Sequence, residues 1–194
     1  MSEKKLMFIC GSPRKGGNTS LLVGWAADGA REAGAAVTII DAARLNYKTN
    51  GCTSCMGCQE SSDYRCIIKD EASAIIASIP DYDVLVFASP VYFCGLSAQT
   101  KLFMDRMFSL FKFSDGKQVH CLTKVELALI ASAGGDISSG LDIVDLTMGK
   151  IADFTSKKYQ SLLLPNMSQD PGKTATNVEL KEKAFDFGVE LAEK

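Results

Sequence analysis

Apolar residues along this chain follow two rhythms. Short, largely apolar runs, Leu6 to Cys10, Val37 to Ile40, Val84 to Ala88, Val125 to Ala131 and Tyr159 to Leu163, with Val84 to Ala88 continuous, alternate with longer stretches whose apolar positions recur every three or four residues. An unbroken run fits a strand covered on both faces, the condition that parallel sheets impose. The first helical stretch begins near Thr19, carries an apolar stripe at Leu22, Trp25, Ala26, Gly29 and Ala33, and ends at Gly34. Further helices are expected over Glu71 to Ile79, Leu96 to Phe111 and Ile137 to Phe154. The last opens at Thr176-Asn177-Val178-Glu179, whose Thr-x-x-Glu spacing is that of a capping box, and runs through Leu191. Five strands alternating with helices predict an α/β fold: a doubly wound, five-stranded parallel sheet with three α/β/α layers and its ligand at the carboxyl ends of the strands. No repeat, low-complexity tract or linker divides the pattern, so one domain over 1–194 is expected.

Composition narrows the possible partners. With 46% hydrophobic and 23% charged residues in 194, the chain is rich enough in apolar residues to build a core, which excludes disorder. Lys+Arg (21) and Asp+Glu (23) nearly cancel to −2, so there is no basic footprint for nucleic acid or an anionic membrane. Any polyanion must be small and locally gripped. No segment approaches the ~18 apolar residues of a membrane span. The start leads straight into the first strand rather than into a signal peptide, so a cytoplasmic location with reduced thiols is expected.

A local grip is offered by Gly11-Ser12-Pro13-Arg14-Lys15-Gly16-Gly17-Asn18-Thr19-Ser20, which follows a strand and opens a helix. Amides at a helix N-terminus bind phosphate without help from global charge; Arg14 and Lys15 add positive charge, and Ser12, Thr19 and Ser20 add hydroxyls. Three familiar anion loops fail against it. Gly11-x4-Gly16 has the Walker A spacing, but Gly17-Asn18-Thr19 follows and the lysine is missing; Pro13 occupies the second glycine of a dinucleotide fingerprint; and Gly16 stands where a cysteine phosphatase paired with Cys10 needs arginine. A mononucleotide phosphate site remains.

This segment resembles the FMN-phosphate loop of the NAD(P)H-dependent FMN reductase group of flavodoxin-like proteins. Ser89-Pro90-Val91-Tyr92-Phe93 is similar to that group's Ser-Pro-x-Tyr flavin loop, and Lys101-Leu102-Phe103-Met104-Asp105-Arg106 to its Lys-x-Phe-x-Asp-Arg helix, in the family's order over most of residues 4 to 135. The resemblance implies strand order 2-1-3-4-5 and non-covalent FMN. Ser12, Arg14, Asn18, Thr19 and Ser20 would hold the phosphate. Pro90, Val91, Tyr92 and Phe93 would line one side of the isoalloxazine, and Ser132, Ala133, Gly134 and Gly135 would supply the other ring-contacting loop. The flavin carries the redox chemistry, so no acid–base catalyst is assigned. NAD(P)H or a ferredoxin-type carrier would be the electron partner.

Four of the seven cysteines crowd into Cys52-x2-Cys55-x2-Cys58-x7-Cys66, inside a loop insertion at about 46–70. Soft ligands at this spacing admit iron–sulfur or zinc, and three evenly spaced cysteines fit the paired knuckles of a zinc site poorly. The row resembles the compact motif of iron–sulfur flavoproteins, a branch of the same group, in which it ligates a [4Fe–4S] cluster. That likeness implies electron exchange between FMN and the cluster across a subunit interface, hence a homodimer or homotetramer. Free thiols remain the alternative, giving an NAD(P)H-dependent FMN or quinone reductase without a cluster; a non-enzymatic cysteine redox sensor is an alternative of another class.

The other candidates read as structural. Cys10, Cys94 and Cys121 are expected to be buried small hydrophobes, His120 a solvated loop residue, and Asp105-Arg106 an ion pair or subunit contact. Leu96, Phe103, Met104, Met107, Phe108 and Phe111 form a face broader than one sheet contact needs, which points to a dimer interface.

Overall fold

The computed structural model describes residues 3–114 and 116–193; the two ends of the expected 1–194 domain lie outside them. Five parallel strands, β1 (Lys5–Cys10), β2 (Ala36–Asp41), β3 (Val84–Tyr92), β7 (Glu126–Ser132) and β8 (Tyr159–Leu164), form one sheet in the order β2-β1-β3-β7-β8. This is the predicted 2-1-3-4-5 order, with the switch between β1 and β3. A two-residue strand β4 (Gly95–Leu96) turns back on β3, and β5 (Phe111–Ser114) pairs with β6 (Lys117–His120) in a separate antiparallel hairpin.

The apolar runs of the central strands β1, β3 and β7 are explained by cover on both faces, whereas the edge strands β2 and β8 are only partly buried. Met7, Ile9, Leu85, Phe87, Leu127 and Leu129 join the core beneath α2 (Glu71–Ser78), α3 (Ala98–Arg106) and α4 (Leu141–Thr155). Their neighbours Leu6, Phe8, Cys10, Val86, Ala128 and Ile130 join the opposite core beneath α1 (Asn18–Glu32) and α6 (Val178–Ala192). Successive residues therefore serve opposite layers, as the strand period of two requires.

Three expectations change. The helix predicted from Leu96 to Phe111 is α3 alone, followed by a 3-10 turn, Met107–Leu110, and then β5. Its apolar residues are largely spent inside the molecule: Phe103, Met104 and Met107 are buried, and Phe111 packs against the same core. The cap of α6 is Asn177, whose side chain accepts from the Leu180 amide, because a short helix α5 (Pro171–Ala175) precedes it and the Thr176 hydroxyl turns back to the Gly172 and Lys173 carbonyls. Cys94 is exposed rather than buried, since it forms the β3–β4 turn with Phe93, both at positive φ (59° and 48°).

Helices α1 and α6 cross backbone to backbone. A Cβ on Gly188 would lie 1.8 Å from the Ala26 carbonyl oxygen, and one on Gly29 would lie 2.0 Å from that of Phe185. Gly24, also in α1, has open space around it. Alanine favours a helix over glycine by about 1 kcal/mol, but overpacking here costs about 3 kcal/mol. Gly188→Ala is therefore expected to lower Tm by about 4–8 °C, while Gly24→Ala raises it. Thermal unfolding followed by circular dichroism reads both, and a Gly188→Ala protein melting at or above the wild type would contradict the close crossing.

Candidate functional site

The carboxyl ends of β1, β3 and β7 surround a cleft of about 320 Å³, within the size range of small-molecule sites. Ser12, Arg14, Asn18 and Thr19 line it from the loop after β1, Pro90, Val91 and Tyr92 from the end of β3, and Ser132, Ala133 and Gly134 from the loop after β7. The structure thus brings together ten of the thirteen residues expected around FMN. Ser20, Phe93 and Gly135 lie outside the lining. The Ser20 hydroxyl is 3.9 Å from the Cys10 sulfur, and Phe93 projects fully into solvent from its turn.

The end of the cleft at the start of α1 is shaped by the backbone. Helix α1 starts after Gly17 with no side-chain cap among the described residues and no acid in its first turn; α2, α3 and α6 are capped by Asp70, Ser97 and Asn177, and α4, which also lacks a side-chain cap, carries Asp142 in its first turn. Uncapped first-turn amides and the positive end of the helix dipole suit an anion. Gly11 is needed where the loop leaves β1: a Cβ there would fall 1.8 Å from the Thr100 hydroxyl oxygen. The Ser97 hydroxyl donates to the Gly11 carbonyl at 2.6 Å, and its amide donates to Ser89 Oγ at 2.9 Å, so the start of α3 ties the phosphate loop to the end of β3.

A third wall was not legible in the sequence. Met167, Ser168 and Gln169, after β8, close the cleft over the phosphate loop. Arg14 donates through both terminal nitrogens to the Gln169 carbonyl at 3.1 Å, and Asn18 donates through Nδ2 to that of Ser168 at 2.6 Å. The other Asn18 side-chain atom, Oδ1, is buried without a partner among the described residues. Main-chain carbonyls hold these side chains, so no side-chain motif advertised the wall; Asn166, at φ 56°, was the available turn signal.

The cysteine row lies between β2 and α2. Cys52, Cys55, Cys58 and Cys66 line one small cavity with Ile68 and Arg106. Three of the sulfurs have an N–H donor: the Ser54 amide to Cys52 (3.4 Å), the Gln59 side-chain amide to Cys58 (3.4 Å) and the Arg106 guanidinium to Cys66 (3.4 Å). The Gly57 amide and, next, the Thr53 hydroxyl lower the pKa of exposed Cys55. Among the described residues, no three His, Cys, Asp or Glu side chains stand converged as a metal-ligating group. The donor set nevertheless suits an iron–sulfur cluster, being all-thiol and gathered on one cavity, with N–H donors at Cys52, Cys58 and Cys66.

Two clamps missed in the sequence hold this loop. Lys112, on β5, donates to the carbonyls of Cys58, Ser61 and Asp63 and lies 5.3 Å from the Tyr64 ring, while Gln59 bonds the backbone of Phe111 and Phe113. His120 is part of the same hairpin, half-buried with its ring 5.6 Å from that of Phe111 and Nδ1 accepting from the Leu122 amide, rather than a solvated loop residue. The second clamp is Arg106, 2% exposed, paired with buried Asp70 and not with Asp105, which bonds Lys101.

A family model described as NADPH-dependent FMN reductase matches residues 4–152. The chain belongs to that family. An iron-sulfur flavoprotein of Methanocaldococcus jannaschii is 39% identical over 102 residues, 53% of this chain and 51% of that protein; one from Archaeoglobus fulgidus is 34% identical over 105 residues, 53% and 45%. The chain spans about half the length of these two curated relatives. A third, from Methanosarcina thermophila, is 32% identical over 136 residues, 70% and 66%. Among solved structures, an NAD(P)H:quinone oxidoreductase from Methanothermobacter marburgensis superposes with TM-score 0.77 at 15% identity over 100% of this chain and 99% of that one. An FMN complex of an NADH-azoreductase from Bacillus anthracis gives 0.69 at 14%, over 97% of each chain. Both place the fold as flavodoxin-like.

Asp70 ties the loop to pH. Burial would raise its pKa, but the Arg106 guanidinium and the amides of Lys48 and Ser73 override that and hold it at about 2, below its ordinary 3.8. A depressed carboxyl stabilises the fold above its unfolded pKa and loses that contribution as pH falls through the folded one. Asp70 therefore contributes about 2 kcal/mol that disappears between about pH 4 and 2. Urea unfolding across this window should show the wild type losing about 2 kcal/mol more than Asp70→Asn; parallel pH profiles would contradict the assignment.

Proposed function

We propose that this chain is an FMN-dependent oxidoreductase of the iron–sulfur flavoprotein kind, folded as one FMN-binding domain with the cysteine loop at about 46–70 as an insertion. The observation that carries it is the uncapped α1 N-terminus facing a cleft whose walls are the three loops expected to hold a flavin. When bound, FMN supplies hydride acceptance and one-electron release, and a [4Fe–4S] cluster would supply one-electron relay.

The chain's own groups bind and orient. Ser12, Arg14, Asn18 and Thr19 with the α1 amides would hold the phosphate, and the carbonyls of Ser168 and Gln169 keep Arg14 and Asn18 aimed across the loop. Pro90, Val91 and Tyr92 form one wall for the ring, and Ser132, Ala133 and Gly134 bring the other wall to it as backbone. Ser20, Phe93 and Gly135 border these segments, and exposed Phe93 is placed to meet a second subunit or an incoming reactant. Cys52, Cys55, Cys58 and Cys66 would ligate the cluster. NAD(P)H or a ferredoxin-type carrier would donate electrons, in a homodimer or homotetramer. The printed names of the archaeal relatives and of the M. marburgensis structure support this reading. A reductase with FMN and free cysteines is the second reading, favoured by the absence of a converged ligand group among the described residues.

Titration of the apoprotein with FMN should saturate at one per chain, and anaerobic NADPH should bleach the bound flavin. Arg14→Ala and Asn18→Ala should each weaken FMN at least tenfold, about 1.4 kcal/mol. Unchanged FMN affinity in both variants would overturn the site; a flavin that ferredoxin reduces and NADPH does not would replace the reductase with an electron carrier.

A further inference from the structure

Arg106 is the largest side chain with essentially no exposure, and the flavin cleft does not use it. Four of its five N–H bonds can be assigned. One terminal nitrogen donates to Asp70 Oδ2 at 2.8 Å and lies 3.4 Å from Thr49 Oγ1; the other lies 3.2 Å from Asp70 Oδ1, 3.0 Å from the Ile68 carbonyl and 3.4 Å from the Cys66 sulfur. The fifth, Nε–H, is buried with no partner among the described residues, on a side chain that lines the four-cysteine cavity. An unmet buried donor on a guanidinium is costly, and the same side chain already stands 3.4 Å from the Cys66 sulfur in the lining of that cavity.

We propose that Arg106 is the positioning residue of the cysteine site: it fixes Cys66 and offers N–H donors to the sulfur-rich anionic group that the cysteines hold. This rests on the iron–sulfur reading above. Three features give the arrangement direction. Asp70 is locked in turn by the Lys48 and Ser73 amides at the start of α2, so the ion pair is a fixed dipole with its positive end at Cys66. Lysine cannot copy this hold, because an ammonium lacks the planar fork that reaches a carboxylate, a carbonyl and a sulfur together. Donors to sulfur and nearby positive charge favour the reduced cluster, so the arrangement raises its potential and retains its iron.

The test uses the full chain with reconstituted cluster, comparing wild type, Arg106→Lys and the double variant Arg106→Gln/Asp70→Asn, which avoids a buried unpaired charge. Cluster potential is read by anaerobic redox titration, and iron loss by transfer to a chelator. The double variant should favour the oxidised cluster at least tenfold, about 59 mV for one electron, and should release iron at least tenfold faster; Arg106→Lys should release iron faster with a smaller change in potential. A double variant that loads the cluster with unchanged potential and release rate overturns the proposal. A wild-type chain that takes up no iron overturns the cluster reading instead. The hold on the loop is then decided by trypsin cleavage after Arg65 in the metal-free chain, a bond neither substitution borders, faster in the double variant if Arg106 positions this segment and equal if it does not.

Discussion

Burying Arg106 against Asp70 removes two full charges from water, a cost of several kcal/mol per ion that the pair meets with hydrogen bonds at every position but the Arg106 Nε–H. Here Asp70 takes both terminal nitrogens and two backbone amides, and the guanidinium also takes a carbonyl and a sulfur. The pair joins the end of α3 to the start of α2, and everything between β2 and α2 depends on that junction. Lys112 holds the middle of the same segment through three carbonyls. A cysteine row with almost no regular structure of its own is thereby fixed from both sides.

Helix α3 makes this junction matter to the flavin cleft. Its first turn is bonded to Gly11 and Ser89, its last residue is Arg106, and its nine residues span about 14 Å. One short, rigid element therefore sets the spacing between the two candidate redox sites. Gly11 and Thr100 leave no slack in that contact. The cleft has the complementary logic: an α1 N-terminus without cap or acid is costly in water and favourable against a phosphate.

What the sequence made legible was local. The central strands β1, β3 and β7, buried on both faces, carry nearly continuous apolar runs, and a phosphate loop combines small residues and donors at the strand–helix turn, so both could be read directly. Features made by distant partners could not. Arg106 and Asp70 are 36 residues apart, and the carbonyls holding Arg14 and Asn18 come about 150 residues later. Phe111 to His120 looked like a helix end and a loop because a short edge hairpin with Lys112, Phe113 and Gln118 lacks a clean period-two pattern. Nothing local in the sequence marks Cys94 as exposed; two adjacent left-handed residues, Phe93 and Cys94, put it on a turn.

Whether one chain of this family holds both a flavin at its strand ends and an iron–sulfur cluster at its cysteine loop is decided by iron, acid-labile sulfide and FMN per chain, measured on protein prepared without oxygen. About four iron, four sulfide and one FMN per chain are expected, the stoichiometry of a [4Fe–4S] cluster beside a single flavin site. FMN with no iron or sulfide would contradict the cluster, and neither cofactor after reconstitution would contradict both sites.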